Sequence, residues 1–290
     1  MFQAGFVNLF GKPNAGKSTL LNALVGEKLA IMSPKVQTTR HRIFGILTTG
    51  QYQIIFSDTP GIIEPRYRLH EKMMSFIKSA LEDADVALLM MDATDDIAEN
   101  KELFASLKLK APAILVVNKM ELVSAEVHKK IRESFSGSFI KEIVAVSALQ
   151  QLNLQQLLEA ILKYLPESPA YYPEDALTDR PLRFFAAELI REKIYHLYHE
   201  ELPYQSAVVI TQFEEKATLT KISADIVVQR DTQKGIVLGE KGKMIRQLGT
   251  LARQDIEELV GRKVFLELHV KVRDKWRDND IFLREYGYLS

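Results

Sequence analysis

The eight residues "GKPNAGKS" at 11–18 constrain this chain more than any other stretch. They match G-x-x-x-x-G-K-[ST], and they stand between an apolar strand-like run and an amphipathic run that opens a helix. Gly11 and Gly16 allow a tight loop whose amide groups point inward at phosphate oxygens. Lys17 is then placed to reach β- and γ-phosphates, and the Ser18 hydroxyl to bind Mg²⁺. Lys12, Pro13, Asn14, Ala15 and Thr19 complete the set expected around the phosphates.

Such a loop needs a parallel sheet behind it, and the flanking sequence supplies one. Strand-like segments at 5–10, 43–48, 52–57, 85–91, 113–117 and 142–146 alternate with amphipathic stretches. Apolar strands separated by helices predict a mostly parallel sheet covered on both faces. The short "TTGQ" joining 43–48 to 52–57 predicts one antiparallel hairpin at an edge. With 290 residues the chain is long enough for two domains. "YLPESPAYYPEDALTDRP" carries four prolines and little periodicity, so it reads as a linker. The expected layout is a nucleotide domain at 1–165, a linker at 166–181 and a second domain at 182–290. The latter is expected to hold a helix at 182–199, strands at 204–214 and 218–230, a glycine loop, a helix at 243–260 and a strand at 264–272. In that last strand Val264, Leu266, Leu268, Val270 and Val272 alternate with Phe265, Glu267, His269 and Lys271, the pattern of a half-buried strand.

Composition removes several function classes. Without cysteine there is no disulfide and no thiolate zinc site, which fits a reducing cytoplasm. Apolar runs such as "VALLMM" are too short to span a bilayer, and the N-terminus shows no basic export signal. Basic and acidic residues balance at 38 each, so a nucleic-acid site has to be a local patch.

Further motifs fall at strand ends, where open α/β sheets bind ligands. "IIFSDTPG" ends a strand in Asp58, whose carboxylate can hold Mg²⁺ through water. Thr59, Pro60, Gly61 and Ile62 follow, with the Gly61 amide placed for the γ-phosphate. "VQTTRHR" lies between, and either Thr38 or Thr39 can offer a hydroxyl to Mg²⁺. Arg40 and Arg42 are expected to be solvated or to face RNA. "NKME" places Asn118, Lys119 and Glu121 after another strand, and Ser147, Ala148 and Leu149 follow the next. Lys17, Thr39, Asp58 and Gly61 are the expected catalytic group.

The ordered set "GKPNAGKS", "QTTR", "DTPG", "NKME" and "SAL", with the second domain, resembles the Era family of bacterial GTPases within the translation-factor class. The resemblance covers nearly the whole chain. It implies an α/β P-loop GTPase domain followed by an α+β type II KH domain. It further implies Mg²⁺-dependent hydrolysis of GTP to GDP and phosphate. It also implies binding of the 3′ end of 16S ribosomal RNA, and a part in small ribosomal subunit assembly by a cytoplasmic monomer with peripheral contact at the inner face of the cell membrane. The family normally carries Asp where this chain has Glu121. Glutamate keeps both acceptors for guanine but moves the carboxylate by about 1.5 Å, so guanine selectivity is expected to be retained. Ile62 stands where some GTPases have a water-orienting glutamine. In related GTPases an asparagine at the position of Asn14 accompanies a bound K⁺, and the resemblance implies the same here.

The second loop, Gly239-Glu240-Lys241-Gly242, opens a helix with Met244, Ile245, Leu248 and Leu251 on one face. A G-x-x-G alone is weak, but an α-β-β-α-α-β order around it resembles a type II KH domain. There the glycine backbone can lie against several nucleotides. Arg230, Lys234, Lys241, Lys243 and Arg246 form a local basic strip within a neutral chain. Bases are expected against Ile236, Val237 and Ile245, and Trp276 is expected to pack on the domain. Two other readings use the same residues. One is a nucleotide switch whose second domain binds protein; the other is an RNA-binding module that keeps nucleotide as a structural ligand.

Overall fold

The computed structural model describes residues 1–33 and 35–289. Two compact units divide the chain. The first comprises Met1–Ala30, Thr39–Glu64 and Met73–Asp179, and the second Ile31–Thr38, Pro65–Lys72 and Arg180–Ser290.

In the first unit the chain runs β1 (Gln3–Gly11), α1 (Lys17–Val25), β2 (Ile43–Thr48), β3 (Tyr52–Asp58), α2 (Arg68–Asp83, of which the part from Met73 on belongs to this unit), β4 (Val86–Asp92), α3 (Ile97–Ser106), β5 (Ala113–Asn118), α4 (Ala125–Phe135), β6 (Ile140–Ala145) and α5 (Leu154–Leu162). The strands form one sheet in the order β2-β3-β1-β4-β5-β6, parallel except for β2 against β3. Every residue of β4, "VALLMMD", is buried, as a central strand covered on both faces requires. Leu89, Met91, Leu115 and Val117 share one core with Phe104 and Phe135 from α3 and α4. The antiparallel edge hairpin is present as expected.

Two expectations for this unit need revision. Arg42 is buried and not solvated: its guanidinium makes a paired contact with Asp83 (2.5 and 2.8 Å), donates to Ser57 Oγ and lies over the Phe44 ring. Arg40 is buried too, at 2% exposure. Burying a guanidinium is affordable only with such partners, and Asp83 lies on a helix that local sequence does not connect to the loop. The proline-rich stretch, secondly, is no loose tether up to Asp179. The Ala4 amide donates to Pro166 O (3.1 Å), the Ile46 amide to Leu177 O (2.9 Å), and buried Gln53 bonds the backbone of both Tyr171 and Tyr172. The Tyr171 ring meets Phe6.

In the second unit come α6 (Leu182–Leu197), α7 (Leu202–Gln205), β7 (Ala207–Glu215), β8 (Leu219–Val228), α8 (Asp231–Leu238), α9 (Lys243–Val260), β9 (Lys263–Val272) and α10 (Asp280–Glu285). The sheet order is β7-β8-β9, with β7 antiparallel and β9 parallel to β8. Ile190 and Ile194 of α6, Ile222 and Ile226 of β8, and Leu248 and Ile256 of α9 make the core, and the alternate residues of β9 pack on it. Residues 204 and 205, expected in a strand, end α7 instead, where Pro203 lies near a helix start as its fixed φ favours. Trp276 is fully buried, its indole N–H donating to Gln205 O (2.9 Å). Within the same unit, Arg191 donates to Thr38 O and the Tyr195 hydroxyl to Gln37 O (2.9 Å).

Candidate nucleotide site and nucleic-acid interface

The phosphate loop follows β1 and opens α1, and its two outer glycines are required by close approach. A Cβ on Gly11 would fall 2.3 Å from Met90 O, and one on Gly16 2.1 Å from Asn118 Nδ2. Gly16 is also left-handed, at φ 91. Lys17 is buried, and its ammonium donates to Gly11 O (3.2 Å) and Lys12 O (2.9 Å), so it is folded over the loop interior. Burial lowers its pKa to about 8, against the opposing pull of the Asp58 carboxylate. Lys12 reaches out instead, to Glu99 (2.5 Å). Asn14 is exposed and left-handed, at φ 63.

Three oxygen-bearing side chains converge next to Lys17. Ser18 Oγ lies 2.6 Å from Asp58 Oδ2 and 2.9 Å from Thr39 Oγ1, and Thr39 donates to the same carboxylate oxygen at 3.0 Å. Asp58 is fully buried, and burial pushes its pKa up against the lowering by Lys17, Ser18 and Thr39. Its Oδ1 has no hydrogen-bond partner. A buried, unpaired carboxylate oxygen beside two hydroxyls is a hard-oxygen set that fits a small divalent cation. Of the two threonines left open by the sequence, Thr39 turns its hydroxyl into this set, whereas Thr38 gives its carbonyl to Arg191.

After Asp58 the Thr59 hydroxyl donates to Leu9 O (2.6 Å), and the Ile62 amide donates to Gly11 O (3.1 Å). These bonds clamp the D-T-P-G loop against the phosphate loop. Gly61 lies so near Pro13 that a Cβ would come within 2.7 Å of it. The Ile62 side chain packs on the core shared with Phe10 and Ala93.

Asn118 joins the remaining loops. Its Nδ2 donates to Ala15 O (3.0 Å), and its Oδ1 accepts from the Ala148 amide (2.9 Å). Ser147 and Ala148 are buried, while Leu149 is 78% exposed. Glu121 is exposed on a single 3₁₀ turn, Met120–Leu122, beside these loops. Sequence reasoning missed Asp92, at the tip of β4, whose carboxylate binds the Lys119 ammonium at 2.5 Å. The acid that follows the apolar run in "MMDAT" was its only signal.

In the second unit the G-x-x-G loop joins α8 to α9 with left-handed backbone at Gly239 (φ 67), Lys241 (φ 50) and Gly242 (φ 75). A Cβ on Gly239 would strike Met244, whereas Gly242 has open space beside it. Arg230, Ile236, Glu240, Lys241, Lys243 and Arg246 are exposed, and Lys234 and Ile245 are half-buried. Val237 departs from expectation. It is fully buried in the core with Leu248, so its side chain cannot meet a base. One helical step apart, Ile236 faces out, 55% exposed.

Residues 6–119 match the family described as 50S ribosome-binding GTPase, and residues 201–277 match the KH domain. GTPase Era of Thermotoga maritima is 47% identical over 98% of this chain and 97% of its own length. The chain belongs to the Era family of GTPases. Two solved Era structures are similar along the full length of both chains at 40% identity. One is Era in complex with MgGDPNP and nucleotides 1506–1542 of 16S ribosomal RNA, with a TM-score of 0.95. The other is a variant of Aquifex aeolicus Era bound to GDP·AlF4⁻, with a TM-score of 0.94. This Era-family chain is thus a GTPase with a P-loop domain on a mostly parallel sheet, followed by a C-terminal KH domain.

Proposed function

We propose that this chain is a GTP-driven switch whose KH unit binds the 3′ end of 16S ribosomal RNA during assembly of the small subunit. The observation that carries the RNA half is the glycine loop at 239–242. It has open space beside Gly242 and carries exposed Lys241, and exposed Lys243 and Arg246 follow it at the start of α9. Such a loop admits a sugar-phosphate backbone, and the helix start and the lysines favour its charge. The Era relative in complex with 16S RNA supports the same reading.

In the nucleotide site Gly11, Gly16 and Lys17 hold the phosphates. Ser18, Thr39 and Asp58 would hold Mg²⁺, which when bound neutralises charge developing on the β- and γ-phosphates. Asn118, Ala148 and Glu121 read guanine. Ile62 packs on the core, so no side chain at that position orients the attacking water, and intrinsic hydrolysis is slow. Asn14 is read as the K⁺ ligand that substitutes for an arginine finger. Hydrolysis is expected to run faster in K⁺ than in Na⁺, with Asn14→Ala removing the difference; equal rates of the unaltered protein in the two salts would refute the K⁺ site.

No helix among the described residues is long and apolar enough to cross a membrane, and contact with the inner face of the cell membrane is read as peripheral. The testing experiment is the affinity for a single-stranded RNA of the 16S 3′ end, with GTP analogue and with GDP. Salt-sensitive binding that is tighter with the analogue is expected. Absence of RNA binding in both states would leave a switch whose KH unit binds protein.

A further inference from the structure

We propose that Asp92 is a positioning residue for guanine nucleotide, acting by holding the Lys119 side chain as a fixed wall of the base site. The proposal rests on the nucleotide site described above. Asp92 and Asn118 are register partners at the tips of the parallel strands β4 and β5, and the Ala93 amide donates to Asn118 O (2.9 Å). The two tips are therefore tied directly to each other.

The Asp92 carboxylate is itself oriented. Its Oδ1 accepts from the Thr94 amide (2.9 Å) and from the Thr94 hydroxyl (2.8 Å), which leaves Oδ2 directed to the Lys119 ammonium at 2.5 Å. The carboxylate side chain is 11% exposed and the lysine side chain 34%, so the pair is sheltered while the lysine stem still borders solvent. Lys119 stands between Asn118, which is committed at both ends of its amide, and the turn that carries Glu121. Its backbone is left-handed, at φ 60. A residue with a Cβ keeps that conformation only where surrounding contacts fix it.

A lysine stem held at both ends forms a flat apolar wall across a planar base. The same stem, untethered, would lose rotamer freedom each time a nucleotide bound. Asp92 supplies that ordering in advance. Its contribution goes to binding of the base and not to phosphate chemistry, because among the described residues the partners of the Asp92 carboxylate are Thr94 and Lys119 and not the phosphate loop or Asp58.

The test is a double-mutant cycle of Asp92→Asn and Lys119→Met, the latter keeping the stem and removing the ammonium, read by GDP titration. Asp92→Asn is expected to weaken GDP binding about five- to tenfold, from the cost of ordering a lysine side chain. It should weaken inosine diphosphate equally, since the stem meets the face of the base and not its edge. It should raise KM for GTP and leave kcat unchanged. In the Lys119→Met background Asp92→Asn is expected to change nothing. Thr94→Val removes one donor from the carboxylate; its expected effect, about twofold, should likewise vanish with Lys119→Met. Unchanged GDP affinity in Asp92→Asn, or a loss of the same size in both backgrounds, would overturn the proposal. Equal affinity of the unaltered protein for GDP and ADP would instead overturn the reading of the site itself.

Discussion

Ser18 Oγ and Asp58 Oδ2 are 2.6 Å apart, and Thr39 shares that carboxylate oxygen at 3.0 Å while its neighbour Thr38 does not take part. The two threonines should therefore separate in a hydrolysis assay. Thr39→Ala and Asp58→Asn are each expected to lower GTP hydrolysis at least about tenfold, Asp58→Asn more, because a charged ligand is lost with it. Thr38→Ala is expected to stay within about twofold, as only its carbonyl is engaged. A Thr38→Ala defect matching that of Thr39→Ala would show that the hydroxyl set is misassigned.

Lys17 gives a pH signature. Burial brings its pKa to about 8, and bound phosphates raise it by favouring the charged form. The complex then holds a proton more tightly than the apo protein does, so binding takes up a proton above about pH 8 and affinity falls as pH rises. Below pH 8 the lysine is charged in both states and this dependence disappears. From pH 7 to pH 9 the Kd for GDP is expected to rise about tenfold. Calorimetry in two buffers of different ionisation enthalpy measures the uptake; a flat Kd with no proton uptake over that range would refute it.

At the second loop, Gly242 has open space beside it and a φ of 75. Gly242→Asp places a negative side chain where the nucleic-acid backbone is proposed to approach. RNA affinity is expected to drop at least about tenfold, with GDP affinity unchanged. The left-handed backbone costs the folded protein about 1 kcal/mol. Filter binding at physiological salt, run beside GDP titration, decides the matter: unaltered RNA affinity would remove the loop from the interface.

Glu121 is exposed on its 3₁₀ turn and has one more torsion to fix than aspartate would. Glu121→Asp is expected to tighten GDP binding a few-fold, a fraction of the ~1.5–2 kcal/mol ordering cost of the longer side chain. Preference over ADP should be large in both forms, because adenine presents no donors to the carboxylate. Parallel titrations with GDP and ADP test both statements.

What could be read from the sequence follows the range of the forces involved. The phosphate loop, Asp58 and Asn118 were legible because glycine approach and strand-tip placement are local in sequence, and the β9 alternation announced its buried face. Arg42 was not legible, since its partner Asp83 is 41 residues away and comes into reach only when α2 packs on the sheet, where Asn8 of β1 binds Ala80 O and Asp83. Choosing between Thr38 and Thr39 required the carbonyl of one to be taken by Arg191, a contact 153 residues apart in the chain. Ile236 and Val237 differ by one helical step, and only the packing of α8 on α9 decides which one is buried. Asp92 was hidden for a simpler reason: a lone acid at a strand end has no spacing signature.

The stretch from Pro166 to Leu177 has a consequence for where this protein can be cut. β2 borders the sheet, and a bordering strand offers its outward amides and carbonyls to any extended chain that meets it. Leu177 takes the amide of Ile46, and Gln53, one strand further in, holds the same stretch by Tyr171 and Tyr172. A nucleotide domain ended at residue 165 would keep its loops and its chemistry but would bare that row, with Phe6 uncovered beside it. Self-association into mixed sheets is the expected fate of such a fragment, whereas one carried through Asp179 retains its own guard against it.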